Sequence, residues 1–142
     1  MTAGVTPLQV EQAARRWVGT PYIGQASTRA GCDCVGLFVG LGHELGINVT
    51  TEKDYPAQPS GARMIQYLVW NCRRLDTIPA SLAPIGSVLA YRMRDDDEGP
   101  HHLALRTSLG MIHATAPRVV EHALRWADRL HSVWWHPRVQ WA

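Results

Sequence analysis

The hydrophobic pattern changes period once along the chain, at "PASLAPIG" (79–86), and this change constrains the fold more than any motif. Before it, apolar residues recur at helical spacing; after it they alternate, as half-buried strands require. Thr6 reads as an N-cap, with Pro7 at the first helical position and Gln9 completing a capping box. Leu8, Val10, Ala13, Ala14 and Trp17 supply an apolar side, and Gly19 is the expected stop. The loop "TPYIGQASTRAG" (20–31) follows. Asp33 then caps a second helix, which runs through "CVGLFVGLGHEL" to a C-cap at Gly46. Gly36 and Gly40 each cost that helix about 1 kcal/mol relative to alanine. Four residues apart, they share a face and predict close approach by another element. A third helix is expected over about 60–75, with Ser60 as cap and Met64, Ile65, Leu68, Val69, Cys72 and Leu75 at helical spacing. Beyond the switch, 87–93, 102–107, 111–116, 118–124 and 130–136 read as strands. Helices followed by a meander of about five strands imply an α+β fold with an antiparallel sheet.

At 142 residues, with no repeat, linker or low-complexity tract, the chain reads as one domain over 1–142. A formal charge of +2 and the interruption "RDDDE" leave no basic stripe, so nucleic acid is not an expected partner. No apolar run reaches the ~18 residues needed to span a bilayer, and no membrane insertion is expected. The N-terminus shows no basic segment followed by an apolar one, so the expectation is synthesis in a cytoplasm without a signal peptide.

Chemistry concentrates in "GCDCVGLF" (31–38). The three cysteines are too few for a disulfide framework, and an odd number leaves one thiol free. A bridge within Cys-X-Cys is geometrically poor and closes almost no loop. Zinc needs a second ligand pair. His101-His102 does not supply one, because neighbours on a strand point to opposite faces, so no metal is expected. A redox pair would be spaced CxxC. Two readings remain for Cys34: a thiol that packs, or a nucleophile in the first helical turn, where free N–H groups and the macrodipole favour a thiolate. Cys32 lies before the helix and is expected to pack, as is Cys72 on the apolar face of the third helix.

A nucleophile needs a base, and the base needs an orienting partner. In "HHLALRTSLGMIHA", a hairpin loop centred on Thr107 and Ser108 would set His102 directly opposite His113 on one sheet face. Cys34, His102 and His113 are the candidate set. His101 would face the other side, and His43, His122, His131 and His136 are expected to be ordinary surface or core residues.

With those residues in view, "GTPYIGQASTRAGCDCVGLF" (19–38) resembles the signature of the NlpC-type papain-like cell-wall cysteine peptidases, and "HLALRTSLGMIHA" (102–114) resembles their second block. The resemblance implies a fold in which a helix carries the nucleophile at its N-terminus and packs on the sheet. It implies Cys34 as nucleophile, His102 as general base and His113 as the orienting residue. Tyr22, Asp33 and Val35 fall at substrate-site positions, with Asp33 implied to meet the amine of a stem peptide. Val35 stands where the family carries serine, and the hairpin is one residue shorter than the family's. The implied reaction is hydrolysis of peptidoglycan stems at the D-glutamyl–diaminopimelate bond, without metal or cofactor. "GCDC" and "QAS" are most similar to the phage-tail and gene-transfer-agent branch. That branch implies tail hub or tip proteins as partners and action in a target periplasm. A structural tail subunit, or an amidase or acyltransferase on the same fold, is the alternative reading.

Overall fold

A computed structural model describes residues 4–51, 55–56, 59–95 and 99–141. Helix α1 spans Pro7–Arg15, and its predicted capping box forms. Gln9 N–H donates to the Thr6 hydroxyl, and the Gln9 side chain accepts from the Thr6 N–H. The regular helix ends four residues before Gly19, and tighter turns carry the chain to that glycine at φ +94°. Leu8 departs from expectation and faces solvent. The buried stripe is Val10, Ala13, Ala14 and Trp17, together with Glu11. Glu11 tolerates burial because Arg15 and the Ser108 N–H and hydroxyl all donate to its Oε1, which ties α1 to a distant hairpin.

The loop after α1 folds into a short pair, β1 (Ser27–Thr28) and β2 (Gly31–Cys32). Helix α2 then runs Cys34–Leu45 between the predicted caps, Asp33 and left-handed Gly46. The two glycines of α2 make the predicted close contact. A Cβ on Gly36 would lie 1.8 Å from the Ala26 carbonyl oxygen. One on Gly40 would lie 2.2 Å from the Trp17 ring and 2.6 Å from the Ser27 oxygen. The small pair and Trp17 are the elements that approach α2.

Helix α3 is shorter than its periodicity suggested, spanning Gly61–Asn71. Cys72 is therefore its half-buried C-cap rather than a residue of its apolar face, and Arg73–Arg74 form β3. The backbone turns extended here because this segment finds a strand to pair with, Trp134–Trp135. Strands β4 (Val88–Tyr91), β5 (His102–Arg106), β6 (Met111–Ala114), β7 (Val119–His122) and β8 (Leu130–Trp135) complete an antiparallel sheet of six, ordered β3-β8-β4-β5-β6-β7. The meander holds from β4 to β7. β8 then returns to the far side of β4 instead of extending the series. Pairing there buries Val133, Trp134 and Trp135 at the sheet centre, which an edge position beside β7 would not do. The main core lies between α1, α2 and one sheet face. A second cluster joins Cys34, Val35, Tyr55, α3 and the Val88 side of the sheet.

Candidate active site

Asp33 builds the entry to α2. Its Oδ1 accepts the Gly36 N–H at 2.7 Å and the Tyr55 hydroxyl at 2.8 Å, and its Oδ2 accepts the Gln25 N–H at 2.7 Å. Gln25 sits at φ +65°, and its side-chain amide donates to the Tyr55 carbonyl at 2.6 Å, so both flanking loops close on one carboxylate. The carboxylate is only 2% exposed, and its three donors compensate that burial. Cys34 follows as the first helical residue, 8% exposed, against the backbone of Leu103 in β5. Leu103 is the neighbour of His102, so the helix start and the His102 strand meet as the sequence pattern requires.

The electrostatics differ from expectation. Burial, and then the Asp33 carboxylate, push the Cys34 thiol up to about 12; backbone hydrogen bonds from Leu103, Val35 and Cys34 itself act the other way without prevailing. The helix start does not yield a free-standing thiolate, because the first turn is desolvated. Burial likewise lowers His102 to about 4. Burial thus favours a neutral thiol at the start of α2 and a neutral imidazole on the strand beside it. Cys32 lies in β2, fully buried, its thiol pushed to about 11 by burial and by Asp33; it packs, as expected.

His102 and His113 meet, but not in direct opposition. The hairpin pairs Leu105 with Ile112 and Arg106 with Met111, around a four-residue turn, Thr107–Gly110. The register is two residues away from the expected one, so face parity is kept and the two histidines become diagonal neighbours. His102 Nε2 lies 2.7 Å from His113 Nδ1. Burial lowers His113 to about 3, with His102, His122 and Arg125 adding to the effect.

Tyr22 borders the thiol. Its pKa is raised first by burial and then by Cys34 and Asp33, and the residue remains 36% exposed. Val35 turns inward, 4% exposed, into the cluster with α3 and the sheet. Sequence reasoning missed Gln25, Tyr55, Trp126 and His122. The signal for His122 was present: it shares strand parity with His113 once β6 and β7 pair Met111 with His122. Among the described residues no group of three His, Cys, Asp or Glu is arranged to hold a metal ion, and no helix is long and apolar enough to cross a membrane.

The structure thus sets a cysteine at a helix N-terminus against an antiparallel sheet that bears a histidine pair. Solved structures similar to this chain include NlpC/P60 proteins. An NLP/P60-family lipoprotein-like protein of Staphylococcus aureus matches over 96% of this chain, with TM-score 0.61 and 17% identity. The NlpC/p60 domain of the peptidoglycan hydrolase SagA matches over 92%, with TM-score 0.59 and 19% identity. NlpC2 of Trichomonas vaginalis matches over 96%, with TM-score 0.68 and 14% identity. The chain spans 44% of the staphylococcal protein and 49% of the Trichomonas one, but the match takes in 98% of the SagA domain. No protein-family model matches the chain, and no curated protein matches it in sequence. The fold is that of the NlpC/P60 proteins.

Proposed function

We propose that this chain is a cysteine peptidase that hydrolyses peptide stems of bacterial peptidoglycan, at the bond between D-glutamate and the diamino acid that follows. The observation that carries the reading is the meeting of Cys34, at the start of α2, with the strand of His102, whose Nε2 is 2.7 Å from His113. The shared fold with the NlpC/p60 domain of a peptidoglycan hydrolase supports the substrate class. His102 takes the thiol proton as Cys34 Sγ attacks the carbonyl carbon, and the Cys34 backbone N–H faces the developing oxyanion. The imidazolium then protonates the leaving amine as the C–N bond breaks. Water, deprotonated by His102, hydrolyses the resulting thioester and restores the thiol. Tyr22 borders the entrance, and Asp33 supplies the negative charge that suits a substrate amine. The "GCDC" variant supports delivery as part of a phage or gene-transfer-agent tail, in contact with hub or tip proteins, to act in the periplasm of the target cell.

A second reading, a structural tail subunit on the same fold, is favoured by one observation: the Cys34 thiol is 8% exposed. Digestion of purified peptidoglycan with mass analysis of the products separates the two. New amine termini on the diamino acid, absent with Cys34→Ala, are the expected result. Intact sacculi with a folded protein would establish the structural reading, and release of free stems from the glycan would mark an amidase.

A further inference from the structure

The hydrogen-bonded imidazoles do not end at His113. His113 Nε2 lies 2.8 Å from His122 Nε2, and His122 Nδ1 lies 2.7 Å from the carbonyl oxygen of Ala123. Three histidines on consecutive strands thus form one row that ends on a backbone carbonyl. Trp126 covers all three, its indole meeting the rings of His102, His113 and His122 at 83–87°, with centroids 6.2, 5.4 and 6.2 Å away. The indole itself packs edge-on to Tyr91, and Trp126 holds a left-handed backbone, φ +58°, an uncommon geometry for a bulky residue.

We propose that His122, anchored on the Ala123 carbonyl, is a positioning residue that sets the proton direction of the whole row and thereby leaves His102 Nδ1 as the basic nitrogen. The derivation is forced by donor and acceptor counts. A carbonyl oxygen can only accept, so His122 Nδ1 carries a proton and, in the neutral ring, Nε2 carries a lone pair. His113 must then donate from Nε2, which leaves its Nδ1 to accept. His102 in turn donates from Nε2, and its one lone pair falls on Nδ1. Reversing any ring would set two protons or two lone pairs face to face at under 3 Å. Trp126 contributes by packing against His113, which is 1% exposed, since water at that ring would offer alternative partners and release the constraint.

This inference rests on the proposed hydrolase only for its kinetic consequence; the tautomers can be read without turnover. Long-range proton–nitrogen correlation of the histidine rings at pH 8 should show His122 protonated at Nδ1, and His113 and His102 protonated at Nε2. In His122→Phe, which lacks the acceptor, His113 and His102 should populate both tautomers, and kcat on peptidoglycan fragments should fall about tenfold or more with KM little changed, as loss of an outer partner of an oriented imidazole does. His122→Gln, whose amide oxygen reaches the Nε2 position, should recover the tautomers and most of the loss. A wild-type spectrum with His102 protonated at Nδ1 overturns the proposal, as does an unchanged spectrum in His122→Phe. If the wild type cleaves nothing but the row shows the derived tautomers, the hydrolase reading fails and the proton order stands.

Discussion

Cys32 and Cys34 are one residue apart, yet they differ in everything that decides reactivity. Cys32 lies in a two-residue strand inside the main core, whereas Cys34 opens α2 beside β5. Cys34→Ala should abolish hydrolysis with the fold intact, while Cys32→Ala should lose on the order of 1 kcal/mol or more of stability and keep most turnover, measured by urea titration and product release. Loss of turnover in a folded Cys32→Ala protein would reverse the assignment. Burial raises the thiol, so under the proposed mechanism Cys34 needs His102 to accept its proton during attack. Alkylation of Cys34 at pH 7 should therefore slow at least several-fold in His102→Ala, while labelling of Cys32 and Cys72 is unaffected. Equal Cys34 rates in both proteins would show that the histidine does not activate the thiol.

At the scale of elements, the position of Cys34 depends on how closely β1 and its approach loop lie on α2. Gly36 is the contact that permits this, with the Ala26 carbonyl over it and its own N–H bonded to Asp33. Gly36→Ala gains helix propensity of about 1 kcal/mol but forces backbone apart. The clash should dominate: net destabilisation of roughly 2 kcal/mol or more is expected, with activity lost ahead of stability because the Cys34 turn is displaced. A variant as stable as the parent would show that the loop yields without cost. The β5–β6 turn is fixed by a second set of contacts. Glu11 holds Ser108, while Glu121 joins Arg15 to the Thr107 hydroxyl. These bonds fix the turn that makes His102 and His113 diagonal rather than opposed.

For the whole molecule, buried neutral imidazoles make the fold acid-sensitive. The folded values of about 4 for His102 and about 3 for His113 lie below the unfolded value near 6.5. Above pH 6.5 both states are neutral and nothing is lost. Below it the unfolded chain takes up protons that the folded chain refuses, so stability falls until the folded values are reached, by up to about 1.4 kcal/mol per pH unit for each ring. His131 and His136, also lowered by burial, act in the same direction. The urea midpoint should drop steadily from pH 6.5 to 4.5, with a shallower slope in His113→Asn. A flat profile over that range would mean that the rings are protonated in the fold.

The sequence by itself determined the local structure: the capping box at Thr6, the Asp33 and Gly46 ends of α2, the shared glycine face, and the alternation of five of the six strands in the large sheet. Each of these depends on residues within a turn or two of each other. It also put His102 and His113 on one sheet face, which the 2.7 Å ring contact bears out, because strand parity survives a register change of two. Only the tertiary structure decided that β8 returns to β4, that the end of α3 is drawn into a strand, and that the hairpin register moves by two. These are competitions between pairings distant in sequence. The state of the thiol and the membership of His122 were decided in the same way. Desolvation and ring-to-ring bonding come from neighbours that only the assembled sheet brings within 3 Å.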